Sequence, residues 1–331
     1  MKIVSIFVVI IITITACIIY LWIARKYNIV DLPNERSSHQ DITYRGIGII
    51  IPIVLGVTNL LFPFCSEFFI LGLLIAGIAG FFDDLFQLRN AYRLVLYIIA
   101  IALCMYGIAP EIAFYNLGIT VVLLLLITGV VNAFNFMDGI NGMTLLYTLV
   151  CTVSVMTSER LFNLDLLPQG FYTTIFIVIL AIMTLNMRTK AVAFLGDSGS
   201  IVLGIICSFM VLRLIWSHGQ LGYLGFVLVY GVDSVGTIIY RMLLKQNIFN
   251  AHRLHLYQML TNEKRHNPLK ISLVYGGLQV AINISMIYLL YYWGDVAFTI
   301  GFFSWVVILI AVYIVLRTYY IKDITKLWGV S

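Results

Sequence analysis

Long apolar runs separated by short polar breaks dominate this chain. A helix that crosses the hydrocarbon core needs roughly 17 to 25 apolar residues, and about eleven stretches approach that length. They are 3-24, 46-64, 66-82, 94-109, 117-134, 142-158, 171-187, 198-215, 221-240, 272-293 and 297-316, the third and fourth being short. The expected fold is therefore all-α, a polytopic integral membrane protein of about 11 transmembrane helices. Composition agrees: 62% of the 331 residues are hydrophobic and 11% charged, too little polar material to cover a soluble surface.

The positions of Lys and Arg set the expected orientation, because short cytoplasmic loops hold the excess of positive charge. All but Lys2, Arg160 and Arg213 of the 20 basic residues fall in alternate loops and the C-terminal tail. This predicts an N-terminus outside and a C-terminus in the cytoplasm. The net charge of +5 is then a signal of topology. No basic stripe with interleaved aromatics is present, so nucleic acid is not an expected partner. The five cysteines are scattered without a CxxC pair and read as small apolar packing residues. Ile14 to Cys17 has the look of a lipoprotein cleavage site, but the apolar run continues through Ile23, so 3-24 is read as a retained span. No linker or repeat divides the chain, and 1-331 is read as one domain with cytoplasmic loops at 25-45, 83-93, 132-143, 188-200 and 241-271.

Five aspartates stand where apolar runs stop, and all five emerge on the predicted cytoplasmic side: Asp83, Asp84, Asp138, Asp197 and Asp233. Clustered carboxylates at a bilayer boundary repel one another unless a cation joins them. Asp83 and Asp84 are adjacent, about 100° apart on a helix. They suit a proton or metal acceptor with an orienting neighbour, or a solvated pair that ends a helix. Asn132, Asn135 and Asp138 recur at i, i+3, i+6, followed by Gly139, Asn141 and Gly142. That stripe suits hydrogen bonding to a base or sugar, or oxygen ligation of a hard cation, against the plainer reading of a polar helix end. Gly196-Asp197-Ser198-Gly199-Ser200 exposes backbone N–H groups near a helix N-terminus, which favours a phosphate or a simple cap. Asp233 is an intramembrane carboxylate, either functional or a structural partner. His252, Arg253 and His255 form a clamp suited to a diphosphate; zinc on the two histidines lacks supporting ligands. Magnesium, which takes oxygen ligands and substrate phosphates, fits this set better.

The ordered motifs DLPNERSSH (31-39), GFFDDLFQL (80-88), NAFNFMDGINGM (132-143), FLGDSGS (194-200), the Asp233 region and AHRLHLYQ (251-258) resemble those of the polyprenyl-phosphate N-acetylhexosamine-1-phosphate transferases of glycosyltransferase family 4. The HRLHLYQ form is closer to the O-antigen-initiating or common-antigen-initiating branch. The resemblance implies transfer of N-acetylhexosamine 1-phosphate from a UDP-sugar, UDP-GlcNAc or a related donor, to undecaprenyl phosphate, with release of UMP. It implies Mg²⁺, with Mn²⁺ as the alternative, held by Asp197 and Asn135. Asp83 would position or deprotonate the lipid phosphate, with Asp84 in support, and Asp138 and Asn141 would face the nucleotide. His252, Arg253 and His255 would grip the diphosphate and sugar, while Asn132, Asp233 and Arg45 complete the substrate-binding set. The implied setting is a bacterial inner membrane with the active site on the cytoplasmic face. Expected partners are the UDP-N-acetylhexosamine, undecaprenyl phosphate and membrane lipid, with a homodimer left open.

Departures from the family pattern stand at Gln87, Asn141, the stretch Thr43 to Gly48, and Tyr97, where a glutamine is often found. Two rival classes share some features. An intramembrane aspartyl protease pairs two membrane aspartates but calls for GxGD, and Phe194 occupies the first glycine's place. An ion-coupled transporter would put a polar site at the midplane, whereas the polar motifs here gather at one face.

Overall fold

The computed structural model describes residues 3–31, 42–108, 110–113, 116–247 and 252–327. Most of the first motif, 32–39, and Ala251 lie outside them. Helices make up nearly all of the chain: α1 (Ile3–Lys26), α2 (Ile50–Leu61), α3 (Glu67–Phe86), α4 (Asn90–Ile108), α5 (Pro110–Ala113), α6 (Leu117–Met137), α7 (Met143–Leu161), α8 (Gln169–Asn186), α9 (Gly196–His218), α10 (Leu228–Leu243), α11 (Leu256–Gln258) and α12 (Pro268–Leu327).

All eleven apolar stretches are helical, but only eight helical segments among the described residues are long and apolar enough to cross a membrane. The difference has three causes. α2 is short. α7 carries Thr144, Thr148, Thr152, Ser154 and Ser158 on buried positions, which lowers its hydropathy although it is long enough. α12 is continuous except at Gly294, whose φ of 75° breaks it between the two predicted spans 272-293 and 297-316. The protein is polytopic and almost wholly α-helical.

α9 is the centre of the bundle. Its apolar window is 83% buried, against 22% for α6 and 28% for α1, whose Leu, Ile and Phe side chains point outward. A helix apolar on every side must be enclosed on every side. Small residues let neighbours close on it: a Cβ on Gly48 would stand 2.2 Å from Gly199 Cα, and one on Gly80 would stand 2.6 Å from Ser198 N. The backbones of the 47–49 turn and of α3 therefore press directly on the first turn of α9.

One element was absent from the all-α expectation. Strands β1 (Val30–Asp31), β2 (Thr43–Arg45) and β3 (Ala193–Phe194) form a small sheet, β1 antiparallel to β2 and β2 parallel to β3, with Tyr44 opposite Ala193 and Arg45 opposite Phe194. Strands this short show no legible alternation in sequence. The sheet ties the 25-45 and 188-200 loops together at the end of the bundle where α3 and α6 finish and α4, α7 and α9 begin.

Candidate functional site

The GDSGS segment opens α9, and Gly196 takes φ 73°, a left-handed conformation that costs other residues. The anion at this helix N-terminus is a side chain of the protein. Asp84 accepts from Asp197 N at 3.1 Å and Ser198 N at 3.4 Å, and from Arg45 Nε at 2.8 Å. The expected phosphate cradle is thus filled by the Asp84 carboxylate, whose side chain is 1% exposed. Even the glycine at 196 is required, because a Cβ there would stand 2.3 Å from Asp84 Oδ2. Arg45, also 3.9 Å from Asp31, joins the sheet to this cap.

Asp83 faces a different set of groups. Its Oδ1 accepts from Leu88 N at 2.8 Å, ending α3, and its Oδ2 pairs with Arg93 Nη1 at 2.5 Å. The same Arg93 nitrogen lies 3.6 Å from Asp197 Oδ2. Asn135 Nδ2 donates to Asp197 Oδ2 at 3.3 Å, and Asn135 Oδ1 accepts from Ser200 Oγ at 2.8 Å. Asp83, Asp197 and Asn135 therefore meet from three helices, with one guanidinium bridging the two carboxylates. The donor set is oxygen-rich, without sulfur or imidazole, and fits a hard cation that completes its sphere with water and substrate phosphate. No cluster of three or more His, Cys, Asp or Glu residues with ligand geometry occurs among the described residues.

Beside this centre, Asp138 ends α6 and is half-buried. Burial, reinforced by the negative charges of Asp197 and Asp84, raises its carboxyl well above the usual range. Asn132 is half-buried one turn before Asn135. Asn141 points elsewhere: its amide donates to the Arg188 carbonyl at 2.8 Å and its backbone carbonyl accepts from Ser272, so it ties the turn before α7 to the 188-200 loop and to α12.

Asp233 is 3% exposed and anchors the 252–258 loop. It accepts from Leu256 N at 2.9 Å, Tyr257 N at 3.4 Å and the Tyr275 hydroxyl at 2.7 Å, and lies 3.5 Å from His255 Nδ1. Its carboxylate is committed to the loop's backbone, so Asp233 and His255 hold the loop from beneath. Two buried guanidinium nitrogens of Arg253, Nε and Nη2, have no hydrogen-bond partner among the described residues. Tyr257 passes its hydroxyl to the Phe136 carbonyl at 2.8 Å, in the space left by Gly139, and so seats the loop against the end of α6.

His252 is half-buried, and its Nδ1 accepts from Leu254 N at 3.2 Å. Burial, followed by the electrostatic influence of His255, Arg241 and Arg317, lowers its pKa to about 4, against the pull of Asp233. The ring is neutral at pH 7. Because an unfolded histidine titrates near ~6.5, the unfolded chain takes up the proton first as pH falls. The stability this ring contributes is complete above about pH 6.5 and is lost towards pH 4. A His252→Asn variant is expected to show a flatter acid-side decline in melting temperature across that window than the unmodified protein. An identical slope would contradict the assignment.

Several members of this site were not read as site residues from the sequence. Arg93 was read as a topology charge and Ser200 as part of a capping segment. Tyr97, 2% exposed and with no hydroxyl partner among the described residues, lies one helical turn beyond Arg93. Arg93 and Tyr97 at i, i+4 on α4, opposite an aspartate pair, form a pattern that could have marked them.

Residues 67–215 match the family described as Glycosyl transferase family 4. The undecaprenyl-phosphate alpha-N-acetylglucosaminyl 1-phosphate transferase of Thermotoga maritima is 28% identical over 248 residues, 72% of this chain and 75% of its own length. A probable undecaprenyl-phosphate N-acetylglucosaminyl 1-phosphate transferase of Bacillus subtilis is 25% identical over 276 residues, 76% of this chain and 75% of its own. The matched segment runs from the start of α3 to the last turns of α9 and so contains Asp83, Asp84, Asn135, Asp138 and Asp197. With its polytopic helical bundle and its ordered motifs, this chain is similar to glycosyl transferase family 4 over residues 67–215.

Proposed function

We propose that this protein transfers N-acetylhexosamine 1-phosphate, with N-acetylglucosamine the leading sugar, from its UDP donor to undecaprenyl phosphate. The observation that carries the reading is the convergence of Asp83, Asp197 and Asn135 beside a loop bearing Arg253 and His252, in a chain whose two relatives are named for this transfer. An oxygen of the lipid phosphate attacks the phosphorus bonded to the sugar's anomeric oxygen. The bond from that phosphorus to the bridging oxygen of the diphosphate breaks, and UMP leaves with the electron pair. A phosphate monoester is largely ionised at neutral pH, so Asp83 orients the acceptor more than it removes a proton.

The chain's own groups divide the work. Asp83 and Arg93 would fix the acceptor end, Asp197 and Asn135 would hold Mg²⁺, and the Arg253 guanidinium would meet the donor diphosphate. Mg²⁺, when bound, neutralises phosphate charge as it develops. The reading places the site on the cytoplasmic face of an inner membrane and makes the product the first lipid-linked intermediate of an O-antigen-like glycan. Neither the protease nor the transporter reading receives support from the comparisons.

Purified protein incubated with undecaprenyl phosphate, Mg²⁺ and a panel of UDP-N-acetylhexosamines is expected to release UMP. Release that needs both lipid and divalent cation is the expected result. UMP formed without the lipid, or from no donor of the panel, overturns the proposal.

A further inference from the structure

Arg317 sits in the second leg of α12, far from the matched family segment, and is 3% exposed. Its neighbours along this leg, Val315 and Tyr319 among them, face outward. A guanidinium is costly inside such a bundle and needs compensation. No carboxylate lies within ion-pairing distance of it among the described residues. The compensation comes from elsewhere.

Arg317 Nη1 donates to the Leu254 carbonyl at 2.9 Å, to Thr237 Oγ1 at 3.3 Å and to the Tyr313 hydroxyl. Its guanidinium carbon lies 3.9 Å from the centre of the Tyr240 ring, a cation–π contact. Thr237 in turn donates to Asp233 Oδ1 at 3.3 Å and lies 3.0 Å from the Tyr313 hydroxyl. Gly236 gives Tyr313 room, since a Cβ there would stand 2.7 Å from the ring. Leu254 lies between Arg253 and His255. The loop is thus held at two points, by Asp233 at the amides of Leu256 and Tyr257 and by Arg317 at the carbonyl of Leu254. The two holds are linked through Thr237.

We propose that Arg317 is a positioning residue of the transfer reaction: it latches the 252–258 loop onto α10 and thereby aims Arg253 and His252 at the donor diphosphate. This rests on the transferase reading given above. The second leg of α12 is then part of the machinery for donor binding, although it touches no substrate.

The test uses the full chain in detergent or nanodiscs with Arg317→Met, Arg317→Lys and Tyr313→Phe. Loss of a residue that orients a binding group costs roughly 10- to 100-fold. The KM for the UDP-sugar is expected to rise about 10-fold or more in Arg317→Met, with the KM for undecaprenyl phosphate nearly unchanged. Arg317→Lys, which keeps one donor for the carbonyl, recovers part of the loss, and Tyr313→Phe moves the same parameter less. Hydrogen exchange at Leu256 and Tyr257 is expected to quicken in Arg317→Met while α9 stays protected. A fall in kcat alone, in proportion to the folded fraction and with both KM values unchanged, overturns the proposal. Unchanged exchange in the loop overturns it too. Should the unmodified protein release no UMP, the transferase reading fails by itself, and the exchange experiment still decides whether Arg317 docks the loop.

Discussion

Asp197→Asn is expected to reduce UMP release by about 100-fold or more while the protein stays folded, the scale seen when a charge-stabilising group is removed from a preorganised site. The substitution is nearly isosteric. It keeps the backbone N–H that donates to Asp84 and leaves Gly196, Ser198 and Ser200 in place, so the first turn of α9 survives. What is lost is one carboxylate oxygen between Arg93 and Asn135, at the point where the two carboxylates and the carboxamide meet. Raising Mg²⁺ is expected to recover little, because the remaining oxygen is a neutral carbonyl and a weaker ligand for a hard cation. The check is UMP release at saturating donor and lipid, with melting temperature measured on the same preparation. Retention of a third of the activity would remove Asp197 from the proposed site.

Asp84→Ala is expected to act mainly on the fold. Its carboxylate is shared by two amides of α9 and by Arg45, and the alanine leaves all three donors without it. Removing one partner of a buried ion pair costs roughly 3 to 5 kcal/mol. Arg45 is 33% exposed and can turn partly to water, so a loss near 3 kcal/mol is expected. The measurement is thermal unfolding of the detergent-solubilised protein, with Asp84→Asn as the comparison. The amide still accepts from both N–H groups and is expected to restore about half the loss. Equal melting temperatures for Asp84→Ala and the unmodified protein would show that α9 needs no cap. Asp197 is thus expected to govern turnover, and Asp84 the placement of α9.

The spans were legible because a bilayer sets a minimum length for an apolar run, and the helices follow those runs closely, even across Gly294. The positions of the chemistry were legible for a related reason: a carboxylate at the end of such a run is costly and seldom idle. What each carboxylate is bonded to was not legible. Asp84 and Asp233 have the same sequence character as Asp197, yet each accepts from the first amides of a helix that is distant in sequence, α9 for one and α11 for the other. Which helix end a side chain meets is fixed by packing between segments, which no local pattern carries. The GDSGS segment shows this, since the anion at its helix N-terminus is supplied by α3. Arg317 was hidden in the same way, counted as one more positive charge of the tail.

Tyr257, through its bond to the Phe136 carbonyl, links two halves of the site that are otherwise anchored on different helices. The carboxylate half hangs from α3, α4 and α9, and the loop half from α10 and α12. Such an arrangement lets the loop half change without disturbing the other. Exchange of residues 252–256 between relatives is therefore expected to leave the carboxylate half in place, provided Tyr257 and the bare backbone of Gly139 that receives it are both retained.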